Sequence, residues 1–125
     1  GWYEWQVTAG GKQPCFLHAP DGGLLWFAGL WAVSAALEPP TFAILTREAV
    51  ASVSQVHHRM PLVLGAQAAA EWLAPGTDRG SERLAAAVAA VQQDFAWHPV
   101  STFVNSPRNQ GERCIAPFTA PLSSA

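Results

Sequence analysis

At 125 residues, half of them apolar, the chain amounts to one ordinary domain with one hydrophobic core. Only 13% of the residues are charged and the formal net charge is −2, which excludes a generally basic nucleic-acid binder. Any contact with phosphates has to come from a local patch or from residues outside this sequence. The two cysteines, Cys15 and Cys114, are far apart and in no metal-ligand spacing. They form no disulfide framework and read as structural thiols in a reducing, cytoplasmic setting. The longest apolar run, residues 24–37, is interrupted by Gly29 and Ser34 and falls short of a membrane span. No signal peptide is visible.

Residues 2–7 read as a strand, 8–11 as a turn and 13–18 as the return strand of a hairpin, with Pro14 marking an exposed edge. Ala19-Pro20-Asp21-Gly22-Gly23 is a second turn. Residues 24–33 read as an apolar strand buried on both faces, in which Gly29 marks a bulge or a close backbone approach. Glu38-Pro39-Pro40 reads as a loop and 41–46 as a strand, with Thr46 capping a short helix over 47–53. A short strand over 62–64 leads into a helix over 65–73, with Trp72 and Leu73 as its core contacts, stopped by Pro75-Gly76. Ser81 is placed to cap the next helix, whose apolar face is Leu84, Val88 and Val91. Residues 95–104 read as a strand, 105–113 as a polar loop and 114–116 as a final short strand. The class expected is α+β: a curved, mostly antiparallel sheet or partial barrel with a few short helices. Residues 1–116 are expected to form part of a single domain, with a loose tail over 117–125.

Four stretches carry chemistry. In Gly1-Trp2-Tyr3-Glu4-Trp5, strand alternation puts Glu4 beside the Trp2 indole on one face and Tyr3 with Trp5 on the other. A carboxyl against apolar surface has its charged form disfavoured, which suits a proton-transfer group near neutral pH. The bland alternative is a surface carboxylate on an edge strand. In Val56-His57-His58-Arg59-Met60-Pro61 an imidazole can shuttle protons and the guanidinium can hold an anion. Extended neighbours point to opposite sides, so one of the two histidines is expected to serve a site; a solvated loop is the other reading. His98, ahead of Pro99, reads as a structural histidine bonded to backbone. Residues 105–113 offer Asn105, Arg108 and Arg113 as contacts to a nucleic acid, or form a solvated turn-rich loop. Six tryptophans are a high count; most are expected in the core, and some can serve as stacking platforms for bases. Cys15 has no cationic sequence neighbour but Lys12 and no sign of a lowered thiol pKa.

Taken in order, Gly1-Trp2-Tyr3-Glu4-Trp5, Lys12-Gln13-Pro14, His57 with Arg59-Met60-Pro61, Trp72-Leu73, Trp97-His98-Pro99-Val100-Ser101, Asn105 and Asn109 resemble the SOS-response-associated peptidase (SRAP) family. The resemblance runs over roughly residues 1–111. It implies an abasic-site sensor in single-stranded DNA. An N-terminal cysteine condenses with the ring-opened sugar to give a thiazolidine DNA–protein crosslink, with self-processing peptidase or lyase-like chemistry alongside. It implies Glu4 and His57 as catalytic groups. Trp2, Arg59, Asn105 and Arg108 are the expected DNA contacts, and no cofactor, metal or membrane partner is expected, in a cytoplasmic, nucleoid-associated setting. The family nucleophile lies upstream of the Gly-Trp-Tyr-Glu-Trp motif, and Cys15 does not match it. The chain is therefore expected to be a C-terminal fragment that is inactive alone and leaves strand edges unmatched. His58 stands where the family has Asp or Asn. A non-covalent single-stranded DNA-binding module is the alternative reading.

Overall fold

The computed structural model describes residues 1–34, 37–76 and 80–118. Strands β1 (Trp2–Thr8), β2 (Gly11–His18), β3 (Trp26–Phe27), β4 (Gly29–Ser34), β5 (Leu37–Ile44) and β6 (Thr46–Glu48) precede a one-turn helix α1 (Ala51–Ser54). Strands β7 (Arg59–Pro61) and β8 (Val63–Leu64) lead into helices α2 (Ala66–Leu73) and α3 (Gly80–Ala89). Strand β9 (Ala96–Pro99) is followed by 3₁₀ turns at Thr102–Asn105 and Glu112–Cys114. The class is α+β, as expected. The ladders are β1-β2-β9, β3-β8, β4-β5 and β6-β7, all antiparallel, and they do not close into a barrel. Among the described residues no helix is long and apolar enough to cross a membrane.

The β1-β2 hairpin sets the frame. Gly11 supplies the left-handed turn, with φ +115°. The register pairs Trp2 with Leu17 and Glu4 with Cys15. One face of the sheet therefore carries Trp2, Glu4, Gln6, Cys15 and Leu17, and the other Tyr3, Trp5, Phe16 and His18. Cys15 and Leu17 are fully buried and join Val53, Met60, Leu62, Val63 and Leu64 in the core. On the second face Phe16 stacks on His18 and meets His98 edge-on, and His98 Nε2 lies 2.7 Å from the carbonyl of Ile115. That backbone partner is the structural role expected of His98.

Gly1 matters for a reason its sequence position does not reveal. A Cβ there would run into the Leu17 carbonyl and the Phe16 ring. Gly1→Ala should therefore cost about 1–3 kcal/mol through overpacking. Urea denaturation is the check, and a midpoint shared with the wild type would contradict the contact.

Several local expectations give way to tertiary packing. The run over 24–33 is not one buried strand: it breaks at Ala28, whose N–H donates to Leu62 and whose carbonyl accepts from Leu45. Beyond the break the chain is exposed, with Trp31 75% accessible. Pro39 and Pro40 lie within β5, where its register with β4 is irregular. Thr46 caps no helix; it belongs to β6, and its hydroxyl accepts from Arg59. Trp72 packs against the core, but Leu73 is exposed. On α3 the buried contact is Ala87, with Leu84 and Val88 exposed, while Val91, just beyond the helix, joins the core as expected. Ser81 lies inside α3 rather than capping it. The strand over 95–104 ends at Pro99, and Cys114 closes a 3₁₀ turn rather than a strand. Gly29 does mark a close approach, since a Cβ would lie 3.2 Å from the Ala43 carbonyl. The start of the expected tail is anchored: Pro117 bridges Val100, and the Phe118 N–H donates to Pro99. Residues 119–125 lie outside the described residues.

Candidate active site

Glu4 reaches the site from the middle of β1, on the face that points inward. Its cross-strand neighbour is the fully buried Cys15, and the Trp2 indole lies two residues back on the same face. His57 arrives from the other side, on the loop between α1 and β7. That loop is pinned to β1 by a hydrogen bond of 2.8 Å from the Gln6 side-chain amide to the Gln55 carbonyl. Gln6 follows Glu4 at strand spacing, so one strand face supplies both the carboxylate and the strut that positions the imidazole.

His57 Nδ1 and Glu4 Oε2 are 3.7 Å apart. This is within reach of an ion pair and slightly beyond a direct hydrogen bond. Nδ1 also lies 2.9 Å from the Arg59 carbonyl and 3.2 Å from the Arg59 N–H. The two backbone groups suit opposite states of the ring. A bare Nδ1 accepts from the N–H, and a protonated Nδ1 donates to the carbonyl. Nδ1 itself therefore has a backbone partner whether it donates or accepts. The His58 ring sits against His57, with centroids 4.5 Å apart, because the chain turns at residues 55–56 and bends at His58 and is not extended there. The expected opposite placement of the two rings does not hold, and both imidazoles bear on Glu4.

Burial raises the Glu4 pKa above the ordinary carboxyl value; the His57 charge, the Trp2 indole and the His58 charge pull the other way and do not cancel it. The Trp2 N–H is buried and forms no full hydrogen bond among the described residues. It remains a donor beside the carboxyl. Because the folded state holds the Glu4 proton more tightly than the unfolded chain, stability falls as pH rises from the ordinary carboxyl range through the raised folded value. Glu4→Gln removes that loss. The variant should gain stability relative to the wild type as pH rises through this window, read from urea midpoints at a series of pH values. A difference between the two proteins that is flat in pH would contradict the assignment.

The remaining residues expected at the site divide into two places. Arg59 lies beside the pair, with its guanidinium donating to the Thr46 carbonyl at 2.9 Å and the Thr46 hydroxyl at 2.8 Å. Asn105 lies on the opposite sheet face, where its side-chain oxygen accepts from the Trp5 indole at 2.8 Å. Arg108 is exposed in the loop beyond it. Trp2, expected to contact DNA, is instead in the core, edge-on to Phe27 and Phe95 with centroids 5.8 and 5.2 Å away. It has little surface left for a base to stack on. Sequence reasoning missed Gln6 and Thr46. The signal for Gln6 was its two-residue offset from Glu4; nothing local marked Thr46. The pair does not line the cavities around β4, β5, α2 and α3; its side chains are partly buried, His57 33% and Glu4 21% exposed. Among the described residues there is no cluster of metal-ligating side chains.

The family model for SOS response associated peptidase (SRAP) matches residues 1–107. The chain is 36% identical over 141 residues to the abasic site processing protein HMCES of Gallus gallus, covering 94% of this chain and 41% of that protein. It is 33% identical to the abasic site processing protein YedK of Escherichia coli, covering 94% of this chain and 54% of the relative. The chain thus spans about half the length of these relatives. Among solved structures, a Bacteroides thetaiotaomicron protein shares the fold with a TM-score of 0.72 at 19% identity, over 95% of this chain and 54% of its own. A phage-related protein of Bordetella bronchiseptica gives a TM-score of 0.63 at 34% identity, over 80% of this chain and 49% of its own. With most of its length matched and its motifs in the family order, the chain belongs to the SOS response associated peptidase (SRAP) family.

Proposed function

We propose that this chain carries the acid–base part of a protein that processes abasic sites in single-stranded DNA. The observation that carries the reading is the convergence of Glu4 and His57 at 3.7 Å, with burial raising the carboxyl pKa above its ordinary value. The names of the relatives point to the lesion. In this reading the nucleophile is an N-terminal cysteine belonging to the upstream part of the fold. The abasic sugar opens when a proton leaves its anomeric hydroxyl and another reaches the ring oxygen. The cysteine amine adds to the aldehyde carbon, and the carbinolamine loses water to give an imine. The thiol then adds to the imine carbon and its proton passes to nitrogen, closing a thiazolidine. Glu4 supplies the proton to the departing water, and His57 accepts and returns protons at the sugar. Arg59, beside the pair, supplies a phosphate contact, while Asn105 and Arg108 offer contacts on the other face of the sheet, away from the pair.

The test is a denaturing gel shift with abasic single-stranded DNA. It compares this chain alone with a protein joining the upstream part of the E. coli relative to this chain. The joined protein should form a band that survives denaturation, and the chain alone should not. Absence of that band from a folded joined protein, with binding intact, would favour a non-covalent single-stranded DNA-binding module instead.

A further inference from the structure

The β4-β5 ribbon is the least expected surface on the molecule. Trp31 and Phe42 are cross-strand partners, 75% and 78% exposed, and Ile44 lies on the same face at 44%. Leu30, on the opposite face, is 56% exposed. Two strands with apolar side chains exposed on both sides are marginal in water by themselves. Beside the ribbon, Trp26 and Leu73 are also exposed, and with Phe27, Leu64 and Trp72 they rim an open notch of about 110 Å³. Trp72 closes one end of β4 by donating its indole N–H to the Gly29 carbonyl at 3.2 Å. Further along, β4 pairs only with β5 among the described residues, and no charge or proline in residues 29–34 protects its other edge.

We propose that this ribbon is an intramolecular-type interface: it receives a β-forming, apolar polypeptide segment from the half of the SRAP fold that the relatives carry and this chain does not match. The proposal rests on family membership and not on the abasic-site reading. The matched relatives and solved structures are about twice as long as the matched stretch, so a comparable mass of protein exists to cover the face. Continuity supports the same occupant. The open edge of β4, the Trp31–Phe42 face and the notch adjoin one another, as a strand with an anchoring side chain requires. Single-stranded nucleic acid fits less well, because residues 29–44 contain no Lys or Arg to accompany the rings. An apolar surface of this kind on a small protein marks an interaction site.

The test co-expresses this chain with the upstream part of the E. coli relative as a separate polypeptide. The expected result is a one-to-one complex that is lost with Trp31→Asp and with Phe42→Asp but kept with Val88→Asp, an exposed position on α3. A single-chain fusion of the same two parts provides a second readout by hydroxyl-radical footprinting. Trp31 and Phe42 should oxidise several-fold more slowly in the fusion than in this chain. Unchanged oxidation in a folded fusion overturns the proposal. So does a homodimer through the same ribbon that the added half does not displace, or protection of Trp31 by oligothymidine in place of polypeptide. The crosslinking reading can fail while this complex forms, so the two failures are distinguishable.

Discussion

Glu4→Gln should slow crosslink formation on abasic single-stranded DNA by about 10²-fold or more, the scale of losing a positioned general acid–base group. The amide has nearly the same shape, so it keeps the β1-β2 register and the packing on Cys15 while removing the exchangeable proton. The structure adds a counter-effect. Burial raises the carboxyl pKa, so Gln should also be the more stable occupant at neutral pH. Loss of activity together with gain of stability is hard to produce by general damage to the fold. It is what a group held in an unfavourable environment for its chemistry should show. Rates measured by quenching the joined protein at intervals and resolving it on a denaturing gel provide the check. A variant with an unchanged rate would remove Glu4 from the chemistry.

Leu17→Ala should cost about 2–5 kcal/mol, the range for truncating a fully buried leucine. Leu17 lies on β2, the central strand of its sheet, between Trp2 on β1 and Trp97 on β9. With a strand on each side, the backbone cannot close over the lost methyls, so the cavity persists. Leu30→Ala is the matched control: its side chain is 56% exposed, and its loss should fall within about 0.5 kcal/mol. Urea unfolding followed by circular dichroism reads both. Similar losses for the two variants would mean that the core is not where the structure places it.

The parts of this fold legible in the sequence are those fixed by local rules. Strand alternation put Glu4 and Trp2 on one face, and the paired glycines and α2 fell where turn chemistry and helical spacing placed them. The motif order pointed to the family through Glu4 and His57 together. Legibility fails where a residue's partner is distant. Thr46 looks like a helix cap because its hydroxyl is free in the sequence, but Arg59 claims it from β7. His57 and His58 look like opposed neighbours until the turn at 55–56 and the bend at His58 bring their rings together. The run over 24–33 reads as doubly buried because hydropathy registers that a side chain is apolar, not what covers it. In this chain much of the run is exposed, with Leu24 85% accessible. Trp2 reads as a stacking ring beside a carboxylate, and only the placement of Phe27 and Phe95 shows that it is core.

The central claim is that Glu4 and His57 act as one coupled proton-handling pair. The measurement that tests it most directly is a pH titration of the Glu4 side-chain carboxyl by ¹³C NMR, in the wild type and in His57→Gln. The structure predicts a wild-type midpoint above the ordinary carboxyl value, because burial outweighs the neighbouring charges. In His57→Gln the midpoint should rise further, because a favourable charge 3.7 Å away has been removed. A midpoint at or below the ordinary value, indifferent to the substitution at His57, would contradict the account.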